Sequence, residues 1–150
     1  MQKSVLSVTE KTSIHEVANI IFTKHISGLP VLKGKKLVGI VTEEDILSHL
    51  YPTIQDLIED YAHMHDFDWM EENFHELLSF PVSKIMIKSV KTVTPETHIM
   101  KAQAMMLSHS YSRLPVVDKK GHLLGIVSQG DVFRYLLKKE LVKKPKKAKN

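Results

Sequence analysis

Apolar and polar positions alternate over Ser4–Val8. They then shift to a helical spacing at Ile14, Val17, Ile20 and Ile21, and return to short apolar runs at Leu29–Leu32 and Leu37–Val41. A period of two reads as strand and one near 3.6 as helix, so the pattern predicts strand, helix, strand, strand. Ser13 and Glu16 have the spacing of a capping box, which starts a helix expected to run to about Lys24. Lys33-Gly34-Lys35 is a tight turn that joins the next two strands as a hairpin. Thr42 opens another helix through Ile46, Leu47 and Leu50, stopped at Pro52.

The same order returns downstream. Lys91–Val93 reads as strand, Ile99, Ala102 and Met106 as helix, Leu114–Val117 and Leu123–Val127 as a hairpin around Asp118–Gly121, and Val132–Lys138 as part of a closing helix. The recurrence is one of residues as well as pattern: SGLPVLKGKKLVGIVTEEDILSHL at 27–50 matches SRLPVVDKKGHLLGIVSQGDVFRYL at 112–136. The offset is 85 at Leu29/Leu114 and Val31/Val116, then 86 at Gly39/Gly125, Val41/Val127 and Asp45/Asp131, so the second copy holds one extra residue between them. The Gly-Ile-Val runs are apolar throughout, which predicts burial on both strand faces.

An internal repeat defines the structural unit. Each copy, with three short strands and two helices in about 50 residues, is too small to bury a comfortable core alone. The expected fold is α+β: two β-α-β-β-α repeats, 1–52 and 82–138, packed by pseudo-twofold symmetry. A helical insertion lies between them at 53–81, and a basic, disordered tail follows at 139–150. With the offset of 85, Met86 falls on Met1, so either the chain is truncated ahead of a turn matching Val82-Ser-Lys-Ile85, or the first copy does without that turn.

The insertion has a chemistry of its own. Residues 53–80 hold eight Asp or Glu, three His and no Lys or Arg. Ile54, Leu57, Ile58 and Tyr61 share one helical face, and Asp68 to Glu71 forms a second capping-box pattern ahead of Phe74, Leu77 and Leu78. Two amphipathic helices joined near His65–Asp66 are expected, their apolar faces covering either the repeat core or a second copy of the chain. His63, His65, Asp66, Asp68 and His75 fit a hydrophilic helix junction better than a metal site, since structural zinc requires four well-placed ligands.

Charge corrects the first impression given by a pI of 9.2. The last 13 residues contain seven Lys and one Glu, a charge of +6 in a chain of net +4, which leaves residues 1–137 at −2. An acidic body argues against a basic nucleic-acid-binding fold, although the tail alone would allow salt-sensitive, sequence-blind contact. With no Cys there is no disulfide, thiolate metal site or Cys nucleophile. No apolar run reaches the roughly 20 residues of a membrane span, and no signal-peptide pattern opens the chain, so a soluble cytoplasmic protein is expected. No Gly-x-Ser-x-Gly, Walker-type loop or His-Glu-x-x-His is present, and the chain is not expected to be an enzyme. Met105 and Met106 stand at helical core positions rather than at a cofactor.

The motif carrying chemistry is Gly-Ile-Val-[Thr/Ser]-x-x-Asp, at 39–45 and 125–131. A strand ends, a hydroxyl residue sits at the turn and a helix begins. The first turn of a helix has unpaired N–H groups and partial positive charge, which suit a phosphate. Thr42 and Ser128 can add a hydroxyl, and Asp45 and Asp131 can accept hydrogen bonds from a ribose diol. The same spacing is also a capping box, which would stabilise each helix by about 1 kcal/mol with no ligand at all.

Ser-x-Leu-Pro-Val followed by Gly-Ile-Val-[Thr/Ser]-x-x-Asp in both halves, with Val82-Ser-Lys-Ile-Met86 and Thr92-Val-Thr-Pro95 before the second, resembles a tandem pair of CBS (cystathionine β-synthase) domains, a Bateman module. The resemblance spans residues 1–52 and 82–138. It implies a stand-alone regulatory protein with two clefts between the repeats, open to AMP, ADP, ATP or S-adenosylmethionine as regulatory ligand, with no other cofactor. One cleft would combine Thr9, Ser27 and Gly28 with Ile126, Ser128 and Asp131. The other would combine Thr94, Ser112 and Arg113 with Ile40, Thr42 and Asp45. The Ile residues would pack on adenine, the hydroxyls face phosphate and the carboxylates face ribose. Arg113 is expected to favour the second cleft for AMP or ADP, because a guanidinium matches phosphate with two parallel donors, whereas Glu43 and Glu44 would oppose a polyphosphate. The resemblance further implies a homodimer and an effector protein of unknown identity. The alternatives are a ligand-free interaction scaffold, with the motifs acting only as caps, and weak nucleic-acid association through the tail.

Overall fold

The computed structural model describes residues 1–50 and 67–143. The Ile54–Tyr61 helix face, His63, His65 and most of the Lys-rich tail lie outside the described residues. The architecture is α+β, and the chain divides into two compact units: Leu6–Val90, and Met1–Val5 together with the chain from Lys91 onward.

In the first unit, β1 (Val8–Thr9) pairs in parallel with β2 (Gly28–Lys33), which pairs antiparallel with β3 (Lys36–Thr42). Between β1 and β2 runs α1 (Ile14–Lys24), and β3 leads directly into α2 (Glu43–Ser48). The β2–β3 loop needs only Gly34 and Lys35, with Gly34 at φ 63° in the left-handed region that a two-residue hairpin requires. Helix α1 starts at the expected residue, with the Glu16 N–H donating to Ser13 Oγ at 3.2 Å. Ile14, Val17 and Ile21 of α1 pack with Val8, Leu29, Val31, Val41 and Ile46 to form the core.

The insertion contributes to this core. Helix α3 (Phe67–Leu78) buries Leu77 against it, with Phe74 and Leu78 partly buried beside it. Of the two expected roles for that apolar face, covering the first repeat is the one observed. The expected capping box at Asp68 is not its start: the helix already includes Phe67, so Asp68 lies in the first turn, where its charge complements the helix dipole. After α3 the chain returns along α1, with the Ile14 N–H donating to the Phe80 carbonyl at 2.9 Å and the Val82 N–H to the Thr12 carbonyl at 2.7 Å.

The second unit repeats the plan with α4 (Ile99–Ser108), β4 (Arg113–Val117), β5 (Leu123–Ser128) and α5 (Gln129–Val142). Its core is Val93, Ala102, Met106, Leu114, Val116, Val127 and Val132, so Met106 is core as expected, with Met105 partly buried beside it. The extra residue that changes the repeat offset sits in the β4–β5 turn. Asp118 holds that longer loop by accepting the Lys120 N–H at 2.8 Å and the His122 N–H at 2.9 Å through Oδ1, while Gly121 takes φ 80°.

Four expectations change. Ser4–Val8 is not a strand: only Val8 and Thr9 pair with β2. Lys91–Val93 reduces to a single bridge from Val93 to Val116. In both copies the next amide, Thr9 or Thr94, donates to the Thr12 or Thr97 hydroxyl at 3.1 or 3.0 Å, a turn that ends the pairing on its C-terminal side. The Gly-Ile-Val strands are also not buried on both faces. Gly39, Val41, Gly125 and Val127 are buried, whereas Ile40 and Ile126 on the opposite face are only half-buried. Finally, α2 ends at Ser48 rather than near Leu50.

Candidate functional site

The two conserved-spacing motifs fold identically. Thr42 is the N-cap of α2: its Oγ1 accepts the Asp45 N–H at 3.2 Å, while Asp45 Oδ2 accepts the Thr42 N–H at 2.7 Å and the Thr42 hydroxyl at 2.9 Å. Ser128 and Asp131 at the start of α5 repeat each contact, at 3.1, 2.8 and 3.1 Å. Both capping boxes are therefore complete without a ligand. In each, one carboxylate oxygen is committed to the cap, which leaves Oδ1 as the atom able to receive a diol.

At Oδ1 the copies differ. Among the described residues Asp45 Oδ1 has no hydrogen-bond partner, whereas Asp131 Oδ1 accepts from Arg134 Nη2 at 2.8 Å. Partial burial raises the Asp131 pKa, but the Ser128 N–H and the Arg134 guanidinium outweigh it and hold the carboxyl below its ordinary value.

The remaining expected residues gather at the same end of each hairpin. Gly28 lies opposite Thr42, and the Glu43 N–H donates to the Ser27 carbonyl at 2.9 Å. Arg113 lies opposite Ser128, and the Gln129 N–H donates to the Ser112 carbonyl at 3.0 Å. Each unit thus brings together residues that the sequence reading assigned to different sites. Thr9 and Thr94 are exposed, their hydroxyls 3.2 and 3.3 Å from those of Thr12 and Thr97. Arg113 is exposed and makes no ion pair among the described residues. An open hollow of about 390 Å³ beside α1, lined by Ile21, Phe22, His25, Ile26, Ser27 and Glu43, includes only Ser27 of the expected set.

Sequence reasoning missed Gln2 and Ile87. Ile126 exchanges two backbone hydrogen bonds with Gln2, both 3.0 Å, and Ile40 exchanges two with Ile87, at 3.0 and 2.8 Å. Each half-buried Ile is thereby fixed from its free edge by a short segment. A signal was available: Met1 and Met86 align at the offset of 85, and Gly39 and Gly125 are where those segments approach. A Cβ on Gly39 would stand 2.7 Å from Met86 Sδ, and one on Gly125 would stand 2.7 Å from the Gln2 carbonyl oxygen.

Among the described residues no three His, Asp or Glu cluster as a metal site, and no helix is long and apolar enough to cross a membrane.

The CBS domain family model matches residues 1–52 and 82–138, most of the chain and both hairpin motifs. The chain belongs to the CBS-domain family. As a tandem CBS pair, it is 32% identical over 149 residues to the uncharacterized protein MJ1426 of Methanocaldococcus jannaschii, covering 91% of this chain and 89% of that one. It is 33% identical over 131 residues to inosine-5'-monophosphate dehydrogenase of Korarchaeum cryptofilum, but there the likeness covers 87% of this chain and only 22% of the enzyme. Among solved structures, CBSX2 of Arabidopsis thaliana in complex with AMP matches with a TM-score of 0.69 and 28% identity, over 91% of this chain and 90% of that one. The chain therefore carries two CBS domains in tandem.

Proposed function

We propose that this CBS pair is a regulatory module that binds an adenosyl ligand, AMP, ADP, ATP or S-adenosylmethionine, and passes the resulting change to an effector protein. The observation that carries the reading is the twice-built strand end, where a half-buried Ile stands beside a cap whose carboxylate keeps one oxygen outside the cap. The AMP complex of CBSX2 supports the ligand class. Following the family resemblance, Thr94, Ser112 and Arg113 serve one ligand with Ile40, Thr42 and Asp45, and Thr9, Ser27 and Gly28 serve another with Ile126, Ser128 and Asp131. An apolar adenine would cover the exposed part of Ile40 or Ile126, a gain of about 25 cal/mol per Å². Arg113, which makes no ion pair among the described residues, is the natural phosphate contact of its site.

Thermal unfolding with each of the four ligands tests the reading. A ligand at 100 times its Kd should add about 2.7 kcal/mol of stability; no stabilisation by any of them would refute it. Arg113→Ala should weaken AMP about tenfold or more and adenosine little, since a charged hydrogen bond contributes about 1.5–3 kcal/mol.

We also propose a homodimer. Large apolar side chains stand exposed at matching positions of the repeats, Phe22 with Leu107 on the first helix and Leu47 with Phe133 on the second. Sedimentation should give twice the chain mass.

A further inference from the structure

The first turns of α2 and α5 have the same caps but different electrostatics. That of α2 reads Glu43-Glu44-Asp45, three carboxylates with no cation among the described residues. That of α5 reads Gln129-Gly130-Asp131, and its single carboxylate carries the Arg134 guanidinium. The position matching Arg134 in the first copy is Ser48, whose hydroxyl donates back to the Asp45 carbonyl. Gly130 replaces Glu44 and lies directly beneath the guanidinium: a Cβ there would come 3.3 Å from Nη1.

We propose that Arg134 is the residue that admits phosphorylated ligands to the Ser128–Asp131 site. This inference rests on the adenosyl-binding function proposed above. The guanidinium uses one donor on Asp131 Oδ1 and is otherwise exposed, its side chain 70% accessible, so four N–H donors remain in a fork that fits a phosphate. Asp131 Oδ1 keeps a lone pair for a ligand hydroxyl. The carboxylate therefore orients the arginine toward the helix start, and the arginine cancels the charge that would repel the phosphate. The site gains a positive donor where its twin presents a triple negative charge.

The test follows the Gly130 amide by NMR in the full chain, titrated with ADP and separately with adenosine. Arg134→Gln should raise the ADP concentration needed for half the shift about tenfold or more and change the adenosine midpoint less than about twofold, as expected for loss of one charged contact. Arg134→Lys should recover part of the ADP affinity. Equal weakening of both ligands, or an unchanged ADP midpoint in Arg134→Gln, overturns the assignment and leaves Arg134 as a helix staple. If the wild-type chain binds none of the adenosyl ligands, the parent function falls and this inference with it.

Discussion

At Gly28 a Cβ would stand 2.8 Å from the Val41 carbonyl oxygen, so no larger residue fits without moving the strand. The matching position in the second copy carries Arg113, so the copies differ there for a steric reason as much as a chemical one. Asp131 is the residue where stability should depend on pH. Its folded pKa lies below the ordinary 3.8, so the stabilisation it supplies is complete above that value and disappears as the pH falls through the lower folded one. Asp131→Asn should therefore cost up to about 1 kcal/mol at neutral pH, mostly lost capping and dipole energy. Chemical denaturation should show that difference shrinking towards zero below pH 3.8.

Among the elements, helices were the most legible, because α1 and α4 carry apolar periodicity and α1 has its cap at the expected Ser13, whereas the α4 cap, His98, was not foreseen. Their C-termini share a feature with no sequence signal. His25 and Ser110, at matching positions, adopt φ of 52° and 55°, and the next amides reach back to the Ile21 and Met106 carbonyls at 3.2 and 2.8 Å. Glycine is the usual residue there, since a Cβ strains the left-handed conformation. Ser110→Gly should raise the stability by about 0.5–1 kcal/mol, read as a higher denaturation midpoint with unchanged slope. Strands were less legible. Ser4–Val8 has a strand-like pattern, yet pairing starts only at Val8 and ends at Thr9, whose amide goes to the Thr12 hydroxyl, and side-chain capture of a backbone donor leaves no periodicity to read.

For the whole molecule, the repeat was plain in the sequence, but the units it makes were not. The caps at Thr42 and Ser128 could be placed by spacing alone, whereas Gln2 and Ile87 contact their partners across long separations that only folding reveals. The segment before each copy packs with the hairpin of the other: Met1–Gln2 on β5 and Met86–Ile87 on β3. Removing residues 1–5 should strip two backbone hydrogen bonds from Ile126, a loss of about 1–3 kcal/mol. Hydrogen exchange should show Ile126 deprotected and Ile40 unchanged; uniform loss of protection would refute this division of the chain.

That exchange also sets a timetable for synthesis. Domains tend to fold as units while the chain grows. Leu6–Val90 is continuous and is complete once Val90 has left the ribosome. The other unit waits for β5, whose Ile126 must find Gln2 more than a hundred residues back. Residues 1–5, made before Leu6–Val90, are thus among the last to reach their place, held in reserve while the half that follows them folds.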